Sequence, residues 1–200
     1  MLYNIIDLEV INMNTLFIST YNYLITIGLL KNNKKIAIKE IKSDKSHSIF
    51  LIPSIESILK ENNLDIHNIN EIIVINGPGS FTGVRLGVIV AKTLAYTLKI
   101  NIKTITSIDA LAISNNILKR KIVSIKDNKG VYFAIYKNNK NISQIKYLSK
   151  EEFDNNYINE INIDNGVLDI EKIALFLKDF DTLNPHNVKP IYVKEIEVLK

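Results

Sequence analysis

Apolar and polar positions alternate over three short runs near the start of the chain, Thr15–Ser19, Leu24–Lys31 and Ile36–Ile41, which predicts three strands. Asn32-Asn33 separates the second run from the third, and asparagine tolerates the positive φ that a hairpin turn needs. The period then changes. Over Ser48–Glu61, Leu51, Ile52, Ile55, Ile58 and Leu59 recur at helical spacing, and Pro53 either kinks that helix or marks its first turn. Glu71–Asn76 is a continuous apolar run of the kind a buried strand shows. It feeds a loop over Gly77–Gly83 and a helix over Val84–Lys99. A strand at Ile102–Ile105 follows, then a helix capped by Ser107 and running through Ile113.

After Asn115-Asn116 the pattern returns to strands. Lys121–Lys126, Val131–Lys137 and Ile142–Tyr147 read as an antiparallel meander, followed by a helix near Ser149–Asp154, a short apolar run at Ile161–Ile163 and a helix over Asp169–Phe180. Pro190–Val193 is a late extended segment. The order strand-strand-strand-helix therefore occurs twice without obvious sequence identity. This internal echo predicts an α/β protein of two related lobes, one over residues 13–116 and a smaller, truncated one over 117–200, with residues 1–12 as an extension.

Composition narrows the chemistry. With 46% hydrophobic and 23% charged residues, the 200-residue chain can bury a core. It has no cysteine, which excludes a thiol nucleophile, a disulfide scaffold and any cysteine zinc site. The three histidines, His47, His67 and His186, form no i, i+4 pair, so no helix-borne metal motif is present. The net charge of +4 accompanies 37 Ile, 23 Lys and 25 Asn, all with A/T-rich codons, against only two arginines, Arg85 and Arg120. That imbalance points to base composition rather than to a phosphate-reading surface, which would enlist arginine. Val10–Leu30 is uncharged and long enough to span a bilayer. It is interrupted by Asn12, Asn14 and Asn22 and it alternates, so it reads as a strand pair, with no membrane association and a cytoplasmic location expected.

The loop from Gly77 to Gly83, Gly-Pro-Gly-Ser-Phe-Thr-Gly, joins a strand to a helix start where free amides could receive an anion. Its glycines are spaced one residue too long for a dinucleotide fingerprint, and no Gly-Lys-Ser/Thr follows. A tight turn in which glycine relieves crowding is the alternative. In the next helix Gly83, Gly87, Ala91 and Ala95 recur every fourth residue, a flat stripe that lets another helix approach closely. Leu86, Val88, Ile89, Val90, Leu94 and Leu98 leave the helix apolar nearly all round, so it is either fully buried or covered on its second face by a partner.

At these residues the chain resembles the TsaB (YeaZ) family, the small bacterial subunits of tRNA threonylcarbamoyladenosine synthesis. The string GPGSFTGVRLG carries the likeness, with SHSIFLIPSIESIL before it and AKTLAYTL and TSIDALA after it. The resemblance implies a two-lobed actin-like ATPase (RNase H-like) fold. It also implies a non-catalytic role beside a TsaD-like catalytic subunit, with no cofactor or metal of the chain's own and ATP and metal on that partner. A TsaE-like ATPase is a further expected partner, tRNA would be touched only within the complex, and a self-dimer is expected when the partner is absent. Pairing would use helices near 48–61 and 84–99. The expected partner-binding residues are Ile52, Ile55 and Leu59 with Gly83, Leu86, Gly87, Val90 and Ala91, while Gly77, Gly79 and Arg85 set the loop and helix start.

Two departures stand out. Where family members carry Asp-Thr-Ser after the first strand, this chain has Ser19-Thr20-Tyr21, and Ile125-Lys126-Asp127-Asn128 replaces the family's Asp-Ala-Arg-Arg. Serine cannot supply the charge that positions Mg²⁺ in actin-like kinases, so ATP hydrolysis by the chain alone is not expected. The rival readings are an actin-like phosphotransferase or peptidase-like enzyme, and a tRNA-binding module using the basic segment Lys119–Lys129. His47 reads as helix-capping chemistry, His67 and His186 as loop residues, and Asp109 and Asp127 as a first-turn acid and a turn residue.

Overall fold

In the computed structural model, which describes residues 12–43, 47–157, 160, 162–164 and 166–193, the first three strands form the expected meander. These are β1 (Asn14–Ser19), β2 (Leu24–Lys31) and β3 (Lys34–Lys42), and Asn32 and Asn33 both take positive φ at the turn. The expected extension at 1–12 lies, apart from Asn12, outside the described residues. The helix α1 (His47–Glu61) leads to β4 (Glu71–Ile75), which joins β1 in parallel, and α2 (Phe81–Leu98) leads to β5 (Asn101–Ile105), parallel to β4. The sheet order is β3-β2-β1-β4-β5. Every residue of β4 is buried, as a strand covered on both faces must be, which explains its unbroken apolar run. On one face Lys39 of β3 reaches Ser57 and Glu61 of α1 through its Nζ.

After α3 (Ser107–Ser114) the second sheet repeats the plan in shorter pieces. Its elements are β6 (Lys121–Lys126), β7 (Gly130–Lys137), β8 (Lys140–Asn141), β9 (Lys146–Ser149), α4 (Lys150–Tyr157) and β10 (Asn162–Ile163). β6 and β9 each pair antiparallel with β7, and β10 runs parallel to β6. The order β9-β7-β6-β10 thus copies β3-β2-β1-β4, and among the described residues no strand continues it as β5 continues the first sheet. This is the two-lobed, actin-like α/β plan with a truncated second lobe.

Three boundaries differ from expectation. Helix α2 begins at Phe81 instead of Val84, because the Ser80 side chain caps it by accepting the Gly83 amide at 3.3 Å. Thr106 rather than Ser107 caps α3. Of the strand expected over Ile142–Tyr147 only the last two residues fall in a strand, β9, and at Ser143 the side-chain hydroxyl takes the Ile135 amide.

The last helix, α5 (Ile170–Leu177), belongs to the second repeat by order but packs on the first sheet. A methyl group at Gly28 of β2 would stand 2.5 Å from Ile170 Cδ1, so the helix lies close over that strand. Under its C-terminus, Lys103 of β5 donates to the carbonyls of Leu177 and Lys178 at 2.9 and 3.1 Å and pairs with Glu71 at 3.2 Å. A cation at that end also complements the helix dipole. One apolar core consequently runs from β1 through α5 to the inner face of β6 and β7, leaving the second lobe a small cluster of its own around Ile122, Val131, Phe133 and Phe153.

Candidate partner-binding face

The glycine loop is shaped by the two residues that follow β1. The Ser80 amide donates to the Tyr21 carbonyl at 2.7 Å, and the Thr20 hydroxyl donates to the Gly83 carbonyl at 2.7 Å. A Cβ at Gly79 would strike the Tyr21 carbonyl, one at Gly83 the Thr20 carbonyl, and one at Gly87 the Thr20 hydroxyl. Gly77 sits at φ 103°, a conformation open to glycine. The tight-turn reading of this loop therefore describes its geometry.

The same contacts bury part of the expected partner-binding set within the chain itself. Gly83, Gly87 and Ala91 are buried, and the close approach that the two glycines allow is taken by the chain's own β1–β2 loop. Ile55 and Leu59 are likewise in the core. Of the eight residues expected to meet a partner, Ile52 is exposed, and Leu86 and Val90 are half-buried. The outward surface instead carries Ile49, 66% exposed, Ile52 and Pro53 on α1, with Phe81, Ile89, 59% exposed, and Tyr96 on α2. Sequence reasoning did not single out Ile49, Phe81, Ile89 and Tyr96 as outward-facing. The signal was present in the helical phase, since the Gly/Ala stripe marks the inner side of α2 and residues 85, 89, 93 and 96 lie opposite it.

Arg85 has a further role. Its Nε donates to the Tyr192 hydroxyl at 2.7 Å while its guanidinium lies 3.6 Å from the centre of the Phe81 ring. Tyr192 belongs to an extended strap along α2. Lys92 holds that strap at the carbonyls of His186 and Val188, and Asn76 accepts the Ile191 amide at 2.8 Å and donates to the Lys189 carbonyl at 3.3 Å. The motif thus ties the end of the described chain to the edge of the outward face.

An actin-like fold implies a magnesium nucleotide between the β1–β2 and β6–β7 turns, and the residues here do not fit one. Ser19 is fully buried, with its hydroxyl unpartnered beneath the surface. Tyr21 is buried as well, and that burial, with Tyr23 nearby, pushes its hydroxyl up to about 12. Asp127 is drawn into its own turn by the amides of Lys129 and Gly130 and by the Tyr147 hydroxyl. Burial and this carboxylate raise the hydroxyl pKa of both Tyr132 and Tyr147. Lys126 pairs with Asp164 at 2.7 Å and Arg120 pairs with Glu160, so two cations of the basic segment sit beside acids. His47 is buried at the start of α1, its Nε2 2.8 Å from the Asn22 carbonyl, while His67 and His186 lie in short 3₁₀ turns. Among the described residues no group of three or more His, Asp or Glu gathers to hold a metal.

The family profile described as TsaD, tRNA N6-adenosine threonylcarbamoyltransferase, matches residues 36–171. The chain is 36% identical over 126 residues to the tRNA threonylcarbamoyladenosine biosynthesis protein TsaB of Bacillus subtilis, covering 62% of this chain and 55% of that protein. It is 33% identical to TsaB of Buchnera aphidicola from Baizongia pistaciae, covering 57% and 53%. It spans about half the length of the curated relatives it matches. A Pseudomonas aeruginosa protein described by its similarity to the peptidase YEAZ superposes with a TM-score of 0.78 at 17% identity, covering 91% of this chain and all of that one, which shows the shared fold. The chain belongs to the threonylcarbamoyltransferase family that the profile describes, and within it to the TsaB (YeaZ) proteins.

Proposed function

We propose that this chain is a non-catalytic, activating subunit in the synthesis of tRNA threonylcarbamoyladenosine, working in the cytoplasm and pairing with a TsaD-type catalytic subunit through the outward face of α1 and α2. The observation that carries the reading is the run of exposed apolar side chains, Ile49, Ile52, Phe81 and Ile89, on two adjacent helices whose opposite faces already form the core. Such a surface is costly to leave in water and suits a protein partner. The names of the relatives supply the pathway. Activation would follow from linkage, since a subunit that binds one conformation of its partner more tightly populates that conformation. ATP and metal are assigned to the partner because the cleft of this chain does not suit a magnesium-bound phosphate. Contact with tRNA, and with a TsaE-like ATPase, would occur within the complex. In the absence of the partner the same apolar face would support a self-dimer.

The test replaces Ile89 and Ile49 by aspartate, singly, and measures affinity for the TsaD-type subunit of the same genome together with threonylcarbamoyl transfer to tRNA. Exposed substitutions are expected to move stability by only about 0.5 kcal/mol. At the centre of an interface each should weaken pairing by roughly thirtyfold, about 2 kcal/mol. Transfer should collapse when this chain is omitted, and the chain alone should make no product. Normal pairing by both variants would overturn the assignment of this face.

A further inference from the structure

Between α3, α5 and the β7–β8 turn lies a cavity of about 520 Å³. It opens at the carboxyl ends of the parallel strands β4 and β5, where open α/β sheets place their ligands. Its walls are apolar, from Ile105, Ile113 and Leu177, and its mouth carries Phe176 and Phe180 with ring centroids 5.0 Å apart. Polar groups line it too, with Asn139, Lys140 and Asn141 at the β7–β8 turn and Thr104, Thr106, Asp109 and Tyr136 nearer the sheet. Asp109, in the first turn of α3, accepts the Thr106 hydroxyl at 2.5 Å on Oδ2 and the Tyr136 hydroxyl at 2.5 Å on Oδ1. Burial, and then the charge of Asp109, push the Tyr136 pKa up, so that hydroxyl keeps its proton on the carboxylate. The Thr106 and Tyr136 hydroxyls are therefore engaged.

Asp109 itself has no cationic partner among the described residues, and Lys140 at the mouth is exposed and makes no ion pair with it. Asn76, 8% exposed, lines the same cavity. It gives its Nδ2 to the Lys189 carbonyl and leaves its Oδ1 buried without a partner. The capacity that Asp109 and Asn76 leave in the pocket is acceptor capacity, part of it charged, while the Lys140 ammonium stands exposed at the rim.

We infer that this cavity binds a small free organic cation, an amine, amidine or guanidine on a short apolar body. Its volume lies in the range of about 300–1,000 Å³ usual for small-molecule sites. An ammonium or amidinium would form charge-assisted hydrogen bonds to Asp109. The Phe176 and Phe180 rings at the mouth would add cation–π attraction. An anion would face the carboxylate, and a neutral apolar molecule would strip water from that carboxylate and return no donor.

Calorimetric titration of the full chain with benzylamine, benzamidine, benzyl alcohol and benzoate tests the inference. The two cations should bind at least about tenfold tighter than the alcohol, the difference a charged hydrogen bond confers. Benzoate should not bind. Asp109→Asn should lose about tenfold in benzylamine affinity, with melting of the variant recorded in parallel. Should that variant fail to fold, Phe180→Ala, at an exposed rim position, should fold normally and bind benzylamine several-fold more weakly. Equal binding of alcohol and amine, absence of amine binding to the folded chain, or unchanged affinity in both variants overturns the site. A blocked lysine that binds tighter than benzylamine would assign the pocket to a protein side chain and overturn the free-ligand reading.

Discussion

The two sheets share a strand order and little else. The first has strands of up to nine residues and two helices of 15 and 18 residues, and its core is continuous from β1 to α3. The second has strands of two to eight residues and helices of eight. Its separate core is four buried side chains, and its last helix lies on its neighbour's sheet. A repeated topology has therefore been kept while its duties were divided. The first lobe can bury one face of α1 and α2 and still show an apolar second face. The second lobe serves as a support, tied to the first by α5 and by the strap.

The contact that matters most to this division is the pair Lys103–Glu71. Lys103 is 6% exposed and Glu71 2%, and the lysine also satisfies two carbonyls at the end of α5. Lys103→Met strands a buried carboxylate and removes the donor beneath the helix. The expected loss is about 3–5 kcal/mol, which for a chain of this size lowers the melting temperature by roughly 6–20 °C. Adding Glu71→Met should restore most of it, because the unpaired charge is then gone. The whole chain should melt in one transition. A variant that melts in two steps, with one step unmoved, would show that the lobes stand independently and would break the comparison.

A smaller effect separates the two faces of α2. Gly87→Leu must displace the Thr20 hydroxyl that holds the Gly83 carbonyl, an overpacking expected to cost about 1–3 kcal/mol. Ile89→Asp, two residues along, should cost no more than about 0.5 kcal/mol. Urea denaturation of the pair checks this, and a Gly87→Leu chain as stable as the parent would return the stripe to the surface. The contrast also shows what could be read from sequence. The succession of strands and helices along the chain, the Asn32-Asn33 turn and the echo between lobes follow from local periodicity and turn chemistry, so they were legible. The inward orientation of Gly83 and Gly87 was not, because a small-residue stripe reports that something approaches closely without naming it. Here the approaching segment is Thr20-Tyr21, more than sixty residues away in sequence. Nor could Arg85 be matched to Tyr192 or Asn76 to the strap, since such pairings over more than a hundred residues leave no periodic trace. The site in the α3–α5 cavity was half visible. Asp109 stood out as a first-turn acid, but its hydroxyl partner Tyr136 is 27 residues distant.

The smallest effect concerns the strap. Tyr192→Phe keeps a ring beside Phe81, at present 6.0 Å between centroids, and removes the oxygen that accepts from Arg85. A hydrogen bond of this kind contributes about 0.5–1.5 kcal/mol. Tyr192 is half exposed, so water can replace part of what is lost, and the effect should fall at the low end of that range. Global melting should shift by roughly 1–3 °C. Local opening should respond more, because the Ile191 amide is held only by the Asn76 carbonyl at 2.8 Å, next to the residue altered. Hydrogen exchange at Ile191 should therefore quicken while amides in β4 and β5 keep their protection. Unchanged exchange at Ile191 would mean that Lys92 and Asn76 hold the strap by themselves. Arg85 would then act on Phe81 alone, shaping the start of α2 and the edge of the outward face.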